Sequence, residues 1–153
     1  GSIFLELLST THKIKQSLIL LCKTAPIEKI TVKQLIEFTG ISRATFYNYY
    51  TNLTEVWQQI TNDVLFEMST LKKEPLVIFS FSDLQLLEQL AQYIQRRQFV
   101  IRMLLNKSGD PEFLERWEQQ MKHIILKYLN DKNIYEKTIP VGCFLKFFYC
   151  LIF

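Results

Sequence analysis

Between Thr31 and Tyr50 the chain ends one helix and starts the next across a single glycine, and few folds accept such punctuation. The stretch reads TVKQLIEFTGISRATFYNYY. Thr31 is placed as an N-cap, and Gln34 three residues on closes a capping box. Ile30 before the cap and Leu35 at the fourth helical position form a hydrophobic staple. Val32, Leu35, Ile36 and Thr39 then trace the inner face. Gly40 stands where a left-handed residue stops a helix. Ser42 caps a second helix at once, with Ile41 and Phe46 in the same staple relation. Thr, Phe and Tyr prefer strands, but capping plus burial of Ile41, Phe46 and Tyr50 should outweigh that preference.

The rest of the chain carries helical periodicity. Ile14, Leu18, Leu21 and Cys22 fall at i, i+4, i+7 and i+8, one apolar stripe of a helix over residues 10–23. TAPIEK interrupts it, with Pro26 in the connection. Asn52 with Glu55 offers a third helix start, followed by Val56, Trp57, Ile60, Val64 and Met68. Pro75 breaks that pattern, and Ser82 or Asp83 reopens it through LQLLEQLAQYI. FVIRMLL is expected to run as a mostly buried helix to Ser108-Gly109. Asp110 caps another helix with Pro111 at its first position, where a missing N–H costs nothing. That helix carries Phe113, Leu114, Trp117, Met121, Ile124, Ile125 and Tyr128. Pro140 precedes a last one. Neither repeats nor useful strand alternation are present. With four Gly and four Pro in 153 residues, short connections fit. The expected fold class is all-α: a three-helix helix-turn-helix domain over 9–56, then a helical domain over 57–153.

Composition narrows the chemistry. Apolar residues make up 48% and aromatics 14% of the chain, a globular composition. Three cysteines (Cys22, Cys143, Cys150) lack any C-x-x-C pair and read as buried small apolar residues in a reducing, cytoplasmic compartment. Cys143 and Cys150, seven apart, share a helix face. His12 and His123 lie apart from them, so no metal or cofactor is expected. Glu112, Glu115 and Glu118 form a charge row without a base, nucleophile or metal partner, and nothing suggests an enzyme. The apolar tail IPVGCFLKFFYCLIF is too short for a membrane span and carries Lys146. Net charge is +3. Residues 9–60 hold six basic and three acidic side chains, while the remainder nearly balances. That asymmetry hints at an anionic partner for the N-terminal third.

A helix-turn-helix inserts its second helix into the major groove of duplex DNA. With Phe46 and Tyr50 inward, Arg43, Ala44, Tyr47 and Asn48 are left on one side. Arg43 can bridge guanine O6 and N7, Asn48 can reach adenine, and Ala44 admits close approach or a thymine methyl. Tyr47 and Tyr49 are expected phosphate anchors, because a phenol O–H at the end of a rigid ring reaches a backbone phosphate. Ser42, Thr45, Thr31 and Lys33 add short donors to phosphate.

ITVKQLIEFTGISRATFYNYYTNLTEVWQQI resembles the DNA-binding domain of the TetR-like transcriptional regulators. The matching positions are Thr31-Val32, Gly40-Ile41-Ser42, Thr45-Phe46-Tyr47 and Tyr50, and the likeness covers about residues 10–60. RRQFVIRMLLNKSGDPEFLERW also resembles C-terminal domains of such regulators from low-GC Gram-positive bacteria. Two positions depart from the pattern: Leu53 stands where the family often has a phosphate-contacting Lys, and Tyr49 where His is common.

The resemblance implies a homodimer on a pseudo-palindromic operator and a C-terminal domain with an effector pocket. It also implies a four-helix bundle from the last two helices of each copy. Tyr93, Phe99, Met103, Trp117 and Met121 are the candidates for lining that pocket, although such stripes are ordinarily core. Arg96, Arg97 and Arg102 read as solvated, with one of them available to an anionic effector. Gly1-Ser2 looks like a tag remnant, and the uncapped last helix predicts a longer natural chain. Two alternatives stay open at this point: a DNA-binding dimer with a structural or cell-cycle role, and a protein-interaction module that has lost DNA binding.

Overall fold

The computed structural model describes residues 2–71, 85–106, 111–131 and 141–153. The protein is all-α. Its elements are α1 (Ser2–Leu21), a 3-10 turn (Ile27–Lys29), α2 (Val32–Thr39), α3 (Arg43–Tyr49), α4 (Leu53–Ser69), α5 (Gln85–Arg96), α6 (Gln98–Leu105), α7 (Pro111–Asp131) and α8 (Val141–Ile152). The expected start signals at Ser82, Asp83 and Asp110 lie outside the described residues, as do the breaks at Pro75, Ser108-Gly109 and Pro140. Two compact units divide the chain within α4, residues 1–63 and 64–153.

In the first unit α1 packs on α2, and α2 on α3. Ile14, Leu18, Leu35 and Phe46 are wholly buried, each worth roughly 1.5–3 kcal/mol of apolar transfer. The inner face of α1 differs from the expected stripe. Ser17 and Ile19 are buried with Ile14 and Leu18, while Leu21 and Cys22 are half-buried. The helix ends at Leu21, and its closing turn tightens through Lys23 N–H to Leu20 O and Thr24 N–H to Leu21 O. That turn rotates the last residues off the core side. Lys15 Nζ is hydrogen-bonded and ion-paired to Asp63 Oδ2, which ties α1 to α4. All five expected core positions of α4 (Val56, Trp57, Ile60, Val64, Met68) are buried.

The boundaries of α2 and α3 follow local chemistry. Gln34 N–H donates to Thr31 Oγ1 at 3.1 Å and Thr31 N–H to Gln34 Oε1 at 2.8 Å, a full capping box. Gly40 adopts φ 76°, ψ 29°, and the amides of Gly40 and Ile41 both return to Ile36 O at 2.9 and 3.2 Å. Thr45 N–H donates to Ser42 Oγ at 3.0 Å, starting α3 two residues later. Asn52 caps α4 in turn: Glu55 N–H donates to Asn52 Oδ1 at 3.0 Å and Thr51 N–H to Glu55 Oε2 at 2.7 Å.

In the second unit α8 packs against α5, α6 and α7, burying Phe148 and Ile152. Its last carbonyls are covered from α6. Arg102 Nε and Nη2 donate to Ile152 O at 3.0 and 2.8 Å, and Gln98 Nε2 reaches Leu151 O at 3.3 Å. Arg102 is exposed, as expected, and its guanidinium also joins α6 to α8 through these bonds. The cysteine reading is corrected. Cys143 and Cys150 are exposed and Cys22 is half-buried, because α8 turns Phe148 and Ile152 inward and its cysteine stripe outward. The helix expected to continue from α5 through FVIRMLL instead breaks at Arg97, with φ −103° and ψ 14°. Leu114 is an exposed member of α7.

Gly40→Ala should cost roughly 1 kcal/mol in urea unfolding. A Cβ there would meet nothing within 4 Å, so the cost is one of backbone conformation, and Gly40→Asn should lose less.

Burial first, then hydrogen bonds to Glu67 and Glu118, raise the phenol pKa values of Tyr93 and Tyr149, the latter to about 12. From their ordinary value of 10.0 upward, the unfolded chain releases phenol protons that the folded chain keeps. Stability is thus fully present below pH 10 and falls as pH rises through the folded values. The double change Tyr93→Phe, Tyr149→Phe should flatten the alkaline fall of the urea midpoint measured between pH 9 and 11.

Candidate nucleic-acid interface

The amphipathic rotation of α3 determines which of its groups face outward. Phe46 is wholly buried and Tyr50, its C-cap, is 7% exposed. Their rings lie 6.0 Å apart and hold the helix against the unit's core. Ser42, Arg43, Ala44, Tyr47 and Asn48 are exposed, and Thr45 and Tyr49 are half-buried. Arg43, Ala44, Tyr47 and Asn48 are thus all exposed, at the i, i+1, i+4 and i+5 spacing of one side of α3. Thr31 and Lys33, at the start of α2, are exposed as well.

Two ring contacts fix the outer face. Tyr47 meets Phe46 edge-on, centroids 5.3 Å apart at 84°, and stays 46% exposed. The Arg43 guanidinium carbon lies 6.0 Å from the Tyr47 ring centroid, at the outer limit of a cation–π contact. Arg43 is therefore leaned along its own helix toward Tyr47. The i, i+4 spacing of Arg43 and Tyr47 was the available sequence signal for this pairing.

The short hydroxyls have local duties. Thr31 Oγ1 accepts from Gln34 N–H and lies 3.3 Å from Gln34 Oε1. Ser42 Oγ and Thr45 Oγ1 share one hydrogen between them at 2.7 Å. Each pair caps a helix, so any phosphate would compete with or extend those bonds. The Ser42–Thr45 pair retains one further O–H to offer, since two hydroxyls carry two protons and one bond joins them. Leu53, at the first turn of α4, is half-buried and carries no donor on its side chain.

The five candidate effector-pocket residues fall in different surroundings. Tyr93, Trp117 and Met121 are buried at 5%, 1% and 1% exposure, Phe99 is 37% exposed, and Met103 is half-buried. Tyr93 alone of the five lines an open groove of about 410 Å³, with Glu67, Thr70, Leu71, Arg96 and Arg97. Glu67, Thr70 and Leu71 carried no signal in the sequence, because only the pairing of α4 with α5 brings them to Tyr93. Tyr93 Oη donates to Glu67 Oε2 at 2.8 Å and approaches Val64 O at 3.2 Å. Among the described residues no group of three His, Cys, Asp or Glu is placed to hold a metal ion. No helix among them is long and apolar enough to cross a membrane.

No protein-family model matches the sequence, and no curated protein matches it. Among solved structures, the crystal structure of a TetR transcriptional regulator from Streptococcus agalactiae 2603V superimposes with a TM-score of 0.64. The two sequences are 21% identical, and the match covers 99% of this chain and 86% of that one. At that identity the likeness is one of architecture: the chain has the fold of that TetR transcriptional regulator over nearly its whole length.

Proposed function

We propose that the protein is a DNA-binding transcriptional regulator that reads duplex DNA with α3. The observation carrying this reading is the division of that helix. Its apolar side is buried through Phe46 and Tyr50, while Arg43, Ala44, Tyr47 and Asn48 are exposed on the other. A surface helix needs no guanidinium, carboxamide and phenol aligned behind a two-residue turn in order to fold. The major groove needs that set: Arg43 for guanine O6 and N7, Asn48 for adenine, Ala44 for close approach. Tyr47, with Tyr49, Ser42, Thr45, Thr31 and Lys33 around it, anchors phosphates and sets the register.

The regulator acts as a homodimer on a pseudo-palindromic operator in the cytoplasm. Supporting self-association, α8 exposes Cys143, Phe147 and Cys150 at the spacing of one helical stripe, a face of the sort subunit contacts cover. A small-molecule effector bound by the second unit favours a dimer whose recognition helices no longer match major grooves about 34–36 Å apart. Such an effector must bind the two states unequally. The chain performs no catalysis in this scheme and needs no cofactor.

Selecting bound fragments from the genome that encodes the protein, then measuring their affinity as salt is raised, tests the reading. Tyr47→Ala should weaken binding to every sequence about tenfold and leave the salt dependence unchanged, since a neutral phenol releases no counterions. Arg43→Ala should in addition relax preference at one base pair by about 1–3 kcal/mol. Unchanged binding in both variants would overturn the assignment of roles.

A further inference from the structure

The junction of α5 and α6 holds a cation with one buried donor that makes no hydrogen bond. Arg97 Nε is sealed from solvent and makes no hydrogen bond. Glu67 Oε2 stands 3.4 Å from it, within ion-pair reach but out of line for a hydrogen bond, and that oxygen already accepts from Tyr93 Oη at 2.8 Å. A desolvated donor on a charged group is uncommon and ordinarily answers to some partner. The rest of the side chain is 26% exposed and lines the 410 Å³ groove. Arg96 lines the same groove, is exposed, and pairs with no carboxylate among the described residues. Among the described residues, two guanidiniums thus face one carboxylate in this groove. Leu71 and the Tyr93 ring add an apolar wall, and the volume lies in the range of small-molecule sites.

We propose that this groove binds a small carboxylate carrying a short apolar body. Its oxygens lie across Arg96 and Arg97, whose planar forks match a carboxylate, and its body rests on Leu71 and Tyr93. Thr70 Oγ1 already donates to Glu67 O and adds only acceptor capacity, so Arg96 and Arg97 supply the charge that discriminates. The ligand draws Arg97 off Glu67, a residue of α4. Any consequence for DNA rests on the regulator reading above; the binding itself does not.

The test is NMR of the full chain with ¹⁵N-labelled arginine, following the Nε–Hε signals. Benzoate is the probe, and inorganic phosphate is titrated in parallel. Benzoate should shift the Arg97 Nε–Hε signal saturably, and phosphate should bind more weakly. Arg96→Gln, a change at an exposed position, should weaken benzoate at least tenfold while the spectrum stays folded. Arg97→Gln, read through the Arg96 signal, should do the same. The absence of a saturable shift, or equal affinity in both variants, would overturn the site. Phosphate binding as tightly as benzoate would overturn the ligand class. No DNA enters the measurement, so its failure and a failure of operator binding remain distinguishable.

Discussion

A single left-handed residue sets the register of α3. At φ 76° Gly40 lets two successive amides close on Ile36 O, so α2 ends without stranded donors and Ser42 is delivered as the next cap. The cap fixes where α3 starts, and the start fixes its rotation. One residue of slip turns an α-helix by about 100°. Phe46 would then leave the core, and Arg43 and Asn48 would swing away from their common face. The outward chemistry of α3 therefore depends on a backbone conformation that L side chains rarely adopt.

The second unit is organised by polar closure around apolar packing. Helix α8 buries Phe148 and Ile152, and the guanidinium of Arg102 from α6 donates to Ile152 O. Tyr93 joins α5 to α4 through Glu67, and Tyr149 joins α8 to α7 through Glu118 at 3.0 Å. Each of these links pairs a phenol or guanidinium on one helix with an oxygen on another. Burial beneath them is what raises the two phenol pKa values.

What the sequence made legible was local in origin. Thr31 with Gln34, Gly40, Ser42, and Asn52 with Glu55 cap as their spacing indicates, since a cap is a contract among four neighbouring residues. The α4 stripe from Val56 to Met68 is buried throughout because its spacing follows the helical repeat. Tertiary features were harder to read. The side of α8 that faces the core depends on three other helices, and the cysteines turned out exposed. Arg102 is exposed as its sequence suggests, but its bonds to Ile152 O of α8 carried no sequence signal. The break at Arg97 has no proline or glycine to announce it. The candidate interface was visible as residue types, but the lean of Arg43 on Tyr47 and the shared Ser42–Thr45 proton needed coordinates.

Hydroxyl-radical footprinting of side chains, with and without a genome-selected duplex, most directly tests whether the outer face of α3 meets DNA. Tyr47 is 46% exposed in the free chain and Phe66, on α4, 69%, so both should be oxidised readily without DNA. The account predicts that bound duplex lowers Tyr47 oxidation several-fold and leaves Phe66 unchanged. Tyr47 oxidised equally fast in the free and bound states would contradict it.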